Sequence, residues 1–118
     1  MTEIFLLEDS RPLRTVLTNQ LRDAGYNVTS FEDGRASEKP DLVQGADLIV
    51  TDLDMPVVDG FEAISNIRET SPELPIIVIS GTSKTVPEDL NVAGVLRKPF
   101  NESDLMELVR ASLRRVTS

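Results

Sequence analysis

The chain has 118 residues, with 12 Lys and Arg against 20 Asp and Glu, a formal net charge of −8, and neither Cys nor His. That length suits one domain, residues 1–118, which can bury a core without staples. The missing residue types exclude disulfides, thiolate and imidazole metal sites, and Ser-His or Cys-His nucleophiles. The acidic balance argues against direct nucleic-acid binding, because phosphate contacts need a basic face. Most of the acids read as solvated helix faces, but a cluster of them would attract a divalent cation or a basic partner surface. No apolar run approaches a membrane span and no signal-peptide pattern is present, so a soluble cytoplasmic protein is expected.

Ile4-Phe5-Leu6-Leu7 is a short apolar run that ends in Glu8-Asp9. Ser10 is a candidate N-cap with Pro12 in the first turn, and Leu13, Val16, Leu17 and Leu21 recur at helical spacing until Gly25 stops the helix. Tyr26 to Phe31 alternates with period two, as a less buried strand does, and Asp33-Gly34 turns the chain. Pro40 falls where a second helix is expected, so that helix should be short or irregular, beginning near Pro40 and stopping before Gly45.

Leu48-Ile49-Val50 reads as a strand buried on both faces that runs through Thr51 into Asp52, and Pro56 and Gly60 end it. Asp59 and Glu62 resemble a capping box, with Phe61, Ile64 and Ile67 on the inner face of the helix that follows. Ile76-Ile77-Val78-Ile79 is the most apolar run and ends in Ser80-Gly81. Thr82 to Val86 reads as loop, leaving only Pro87 to Val92 for a shortened fourth helix. Gly94 to Arg97 is a last short strand before Lys98-Pro99, and Asn101 caps a helix with Leu105, Leu108, Val109 and Leu113 inward. Strand and helix thus alternate five times on apolar runs, which implies an α/β parallel sheet with helices on both faces.

In such a sheet the C-terminal strand ends share one edge, where ligands of open α/β folds sit. Glu8-Asp9, Asp52, Ser80 and Lys98 all fall there. Each alone has a plain reading, as a helix N-terminal charge, a turn residue or a surface lysine; four coincident strand ends point to one crevice. Three carboxylates held together need a counter-charge, and a hard cation such as Mg²⁺ supplies it. With the Lys98 ammonium and the Ser80 hydroxyl, the set forms a cradle for phosphoryl oxygens, with Asp52 as a nucleophile that accepts phosphate.

On the acidic pair Glu8-Asp9, Asp52-Leu53-Asp54-Met55-Pro56, Asp59-Gly60, Ser80-Gly81 and Lys98-Pro99-Phe100, essentially the whole chain resembles a response-regulator receiver domain of two-component signalling. The resemblance implies a five-stranded parallel sheet of flavodoxin-like (βα)5 type in the order 2-1-3-4-5. It implies Asp52 as phosphoacceptor, loaded by a histidine kinase or a histidine phosphotransfer protein, with slow self-hydrolysis in place of enzymatic turnover. Mg²⁺ would be held by Glu8, Asp9, Asp52 and the backbone carbonyl of Asp54. Ser80 and Lys98 would contact the phosphoryl group, with Ser80 as the switch hydroxyl, and the Lys98-Pro99 bond would be cis. The partner side would be a downstream protein target or a fused effector domain, which the 118 residues do not include, or a second copy of the chain. Three features depart from the family pattern: Val95 stands where an aromatic residue is usual, only 18 positions separate Ser80 from Lys98, and Pro40 interrupts the second helix. These affect the output surface, and they direct the signal toward the segment from Gly81 to Val92 and the adjacent face of the last helix.

Two other readings compete. Asp52-Leu53-Asp54 resembles the nucleophile motif of haloacid-dehalogenase-type phosphatases, but Met55-Pro56 follows it, the acidic pair precedes it and no cap is present. A receiver-like binding module that takes no phosphate is the other; the full set of site residues argues against it.

Overall fold

Runs of Val, Ile and Leu extend because branched side chains are stiff at χ1 and pack well on a pleated surface. In the computed structural model, which describes residues 1–81 and 84–117, these runs become β1 (Glu3–Leu7), β2 (Asn27–Phe31), β3 (Leu48–Asp52), β4 (Ile76–Ser80) and β5 (Gly94–Arg97). They pair in parallel in the order β2-β1-β3-β4-β5. The register pairs Leu7 with Thr51, Asp52 with Ile79, and Ser80 with Arg97. The residues just past β1 and β5 therefore stand level with the ends of β3 and β4.

Side chains alternate across the sheet. Phe5, Leu7, Ile49, Ile76 and Val78 pack with Ala63, Ile64 and Ile67 of α3 (Gly60–Thr70) on one face. Ile4, Leu6, Leu48, Val50, Ile77 and Ile79 meet Leu17 and Leu21 of α1 (Arg11–Asp23) and Leu105, Met106 and Val109 of α4 (Glu102–Thr117) on the other. Burying a branched aliphatic side chain completely contributes about 1.5–3 kcal/mol, so the central strands anchor the edge that follows them. Among the described residues no helix is long and apolar enough to cross a membrane.

The helix ends follow the capping residues. The Ser10 hydroxyl accepts from Leu13 N–H at 3.5 Å, and Asp59 Oδ1 accepts from Glu62 N–H at 2.9 Å. Asn101 Oδ1 accepts from Asp104 N–H at 2.8 Å while the Asp104 carboxylate accepts from Asn101 N–H at 3.3 Å, a reciprocal box. Gly60 is where α3 rests on the end of β3: a Cβ there would lie 2.3 Å from the Asp52 carbonyl oxygen and 2.5 Å from Leu53 Cα. Only glycine allows that approach. The Lys98-Pro99 bond is cis.

Several elements depart from the sequence reading. Val16 shares the spacing of Leu13 and Leu17 yet is 49% exposed, because the sheet covers only the Leu17–Leu21 side of α1. The second helix is short and begins at Pro40 as expected, the single turn α2 (Pro40–Val43); the addition is a 3-10 turn over Gly34–Glu38 that Asp33 caps. The shortened fourth helix is reduced further, to a 3-10 turn over Glu88–Leu90. Of the expected loop Thr82 to Val86, Thr82 and Ser83 lie outside the described residues, and 84 to 86 carry neither helix nor strand.

An arginine holds this short crossover. Arg68 of α3 donates from Nε to Leu90 O, from Nη1 to Ser71 O and Leu74 O, and from Nη2 to Asn91 O, at 2.8 to 3.0 Å. The guanidinium fork ties α3 and the approach to β4 to the stretch that stands in for the fourth helix.

Candidate functional site

The strand ends deliver their polar residues to one edge of the sheet. Asp52, the last residue of β3, is buried, with Glu8 fully buried just beyond β1 and Ser80 fully buried at the end of β4. Asp9 is exposed beside them. Carboxylate oxygens of Glu8, Asp9 and Asp52 all lie within 4.8 Å of one another. Lys98, one step past β5, reaches in with Nζ 2.6 Å from Asp52 Oδ2 and 3.8 Å from Glu8 Oε1. Its own N–H donates to Ser80 O at 2.9 Å, which fixes where the side chain starts.

The loop backbones complete the site. Asp54 N–H donates to Asp52 Oδ1 at 2.8 Å, so both oxygens of the central carboxylate have donors. Ser10 N–H donates to Glu8 Oε2 at 3.0 Å, while Glu8 Oε1 accepts no hydrogen bond from the described residues. Arg14 in α1 donates from Nη1 to the Glu8 carbonyl at 2.8 Å and more weakly to that of Asp9 at 3.4 Å, which pins the acidic loop. Asp54 pairs with Lys84 through Oδ1 at 2.8 Å. Sequence reasoning singled out neither Arg14 nor Lys84. Both are charged residues among many, and only the fold brings them to the edge.

The electrostatics follow from this crowding. Burial, reinforced by the neighbouring Asp52 charge, pushes the Glu8 carboxyl up to about 8, against the downward pull of Ser10 N–H and Lys98. Burial opposes the Lys98 charge, but the hydrogen bond to Asp52 and the carboxylates of Glu8, Asp52 and Asp9 outweigh it and hold its pKa above the ordinary lysine range. Among the described residues one ammonium, Lys98, serves the three-carboxylate cluster, and the fully buried Glu8 Oε1 has no donor. An oxygen-only donor set with a surplus of negative charge fits a hard divalent cation such as Mg²⁺.

All the residues named from the sequence, Glu8, Asp9, Asp52, Asp54, Ser80 and Lys98, lie at this edge. Val95 lies away from the core on edge strand β5, 39% exposed.

Comparison with known proteins agrees with the geometry. The family model described as "Response regulator receiver domain" matches residues 4–110. The response regulator receiver protein CpdR of Brucella abortus is 33% identical, over 96% of this chain and 98% of its own length. The transcriptional regulatory protein RprY of Bacteroides fragilis is 35% identical over 96% of this chain, which spans only 50% of RprY. Among solved structures, the receiver domain of the sensor histidine kinase PA1611 of Pseudomonas aeruginosa, with a magnesium ion coordinated in its active-site cleft, is 30% identical. It superposes with a TM-score of 0.84, covering 95% of this chain and 97% of that one. Fold, acidic crevice and sequence similarity together place this chain in the response-regulator receiver domain family of two-component signalling.

Proposed function

We propose that Asp52 is the phosphoacceptor of this receiver domain and that its phosphorylation switches the binding of a partner. The observation that carries the reading is the buried Asp52 carboxylate at the end of β3, paired with Lys98 at 2.6 Å and grouped with Glu8 and Asp9. A receiver domain implies interaction with a histidine kinase, and the donor here is a phosphohistidine on that kinase or on a phosphotransfer protein. An Asp52 oxygen attacks phosphorus, the P–N bond breaks with its electron pair going to the imidazole, and Asp52 becomes an acyl phosphate. Lys98 stays beside the reacting carboxylate and neutralises charge that builds on the phosphoryl oxygens. Glu8, Asp9, Asp52 and the Asp54 carbonyl would hold Mg²⁺, which when bound adds positive charge beside those oxygens. Ser80, at the end of β4, donates its hydroxyl to a phosphoryl oxygen after transfer, and water later returns Asp52 to a carboxylate.

Receiver domains are not conventional enzymes, which sets the phosphatase reading aside. The downstream side is a protein target or a fused effector, because relatives such as RprY extend well beyond the matched region. With Val95 small and exposed on the edge strand, the signal leaves through the segment from Gly81 to Val92, of which Thr82 and Ser83 lie outside the described residues. Intact mass after incubation with acetyl phosphate tests the chemistry. One phosphoryl group should appear with Mg²⁺ and not with chelator, and Asp52→Asn should abolish it. Undiminished labelling of that variant would move the site to another acid, with Asp54 the first alternative.

A further inference from the structure

We infer that Lys84 is a positioning residue for phosphorylation at Asp52, acting through Asp54. The inference rests on Asp52 being the phosphoacceptor and adds a residue that the strand-end pattern does not contain. Asp54 holds Asp52 from one side, its N–H donating to Asp52 Oδ1 at 2.8 Å. The same residue is held through its side chain, where Lys84 Nζ lies 2.8 Å from Asp54 Oδ1. Lys84 is fixed in turn from β5, because Arg97 Nη1 donates to the Lys84 carbonyl at 3.2 Å. Arg97 is covalently joined to Lys98, whose Nζ lies 2.6 Å from Asp52 Oδ2. The contacts therefore form a closed circuit, from Asp52 through Asp54, Lys84, Arg97 and Lys98 back to Asp52, spanning the loops after β3 and β4 and the end of β5.

Asp52, Asp54, Arg97 and Lys98 lie in a strand or within two residues of its end, whereas Lys84 lies four residues past β4. Lys84 comes from the crossover that has lost its helix, so its pair with Asp54 ties that crossover to the site. The Asp54 peptide has two duties here: its N–H orients the nucleophile, and its carbonyl is among the groups assigned to the metal. Fixing the Asp54 side chain restricts that peptide and so narrows the orientations open to Asp52. Both partners are partly exposed, with side chains 56% and 39% accessible. An exposed pair of this kind changes an equilibrium or a rate by about two- to fivefold.

A uniform electrostatic role for Lys84, attracting an anionic donor, would alter the KM for acetyl phosphate and leave the maximal rate unchanged. A positioning role lowers the maximal rate at saturating Mg²⁺ and donor. The expected result for Lys84→Ala is a two- to fivefold lower maximal rate, with Lys84→Arg restoring most of it and Asp54→Asn reproducing the loss without a further drop in the double variant. An independent readout needs neither metal nor phosphate. Amide exchange of Asp54 in the metal-free protein should quicken in Lys84→Ala and return toward wild type in Lys84→Arg. Unchanged Asp54 exchange with an unchanged maximal rate, or a change confined to KM, overturns the inference. Asp52→Asn, run alongside, separates the two levels: label persisting in that variant refutes Asp52 itself, whereas an unlabelled Asp52→Asn with an indifferent Lys84→Ala refutes only the role of Lys84.

Discussion

At the scale of single residues, the site balances the carboxylates of Glu8, Asp9 and Asp52 against the partly exposed Lys98 ammonium. Asp9 is the exposed member of the cluster, within 4.8 Å of the other carboxylates and near the Lys98 charge. Asp9→Asn removes one like charge, so the metal-free variant should be at least as stable as wild type in urea unfolding while binding Mg²⁺ more weakly by titration calorimetry. Clear destabilisation in chelator would show that Asp9 has a structural partner. Val57, in the loop between β3 and α3, is a second residue-scale test. It has φ 67° and is 73% exposed, a backbone region that a β-branched residue enters only with strain. Val57→Asn, which tolerates that region, should stabilise the protein by about 1 kcal/mol; unchanged or lower stability in urea would show that the Val57 side chain has a contact worth more than the strain.

At the scale of elements, the fourth crossover is the unusual part. The separation of eighteen positions from Ser80 to Lys98 already indicated that a full helix would not fit, and the described residues of the segment form the 3-10 turn Glu88–Leu90. Its attachment was not legible, because Arg68 reads as one more exposed helix charge until its four carbonyl acceptors come together. Arg68→Ala should lower stability by about 2 kcal/mol in denaturant unfolding, the range for losing hydrogen bonds to a charged group that leave carbonyls unpaired. It should also speed amide exchange over 88 to 92 more than elsewhere; uniform exchange changes would mean that the clamp serves the whole fold. The strands were legible for the opposite reason. Ile76 to Ile79 and Leu48 to Val50 are apolar on both faces, and only a sheet covered on both sides accepts such runs. Helix spacing was less reliable at its margins: Val16 fits the stripe of α1 but lies beyond the sheet's edge of contact.

For the whole molecule, the crowded acidic edge couples folding, proton binding and metal binding. Burial pushes the Glu8 carboxyl up from its ordinary 4.5 to about 8 in the folded state. The folded state therefore binds this proton more tightly than the unfolded one. Its contribution to stability is complete below the ordinary value and is lost as pH rises through about 8. Urea unfolding in chelator should show stability falling from about pH 5 to about pH 9, with Glu8→Gln flattening that slope; an unaltered slope in the variant would assign it to another group. Mg²⁺ affinity should rise over the same window, since a metal needs the ionised carboxylate. The convergence behind this coupling was legible because parallel strands place their C-terminal ends together, so Glu8, Asp9, Asp52, Ser80 and Lys98 could be assigned to one edge from chain order alone. The circuit through Lys84 and Arg97 could not, since it depends on how two loops close over that edge. The most direct test of Asp52 as phosphoacceptor is reductive trapping. Borohydride converts an aspartyl phosphate to homoserine, and peptide mapping after treatment with acetyl phosphate and Mg²⁺ should find homoserine at position 52 alone; homoserine at position 54 or 9, or none anywhere, would contradict it.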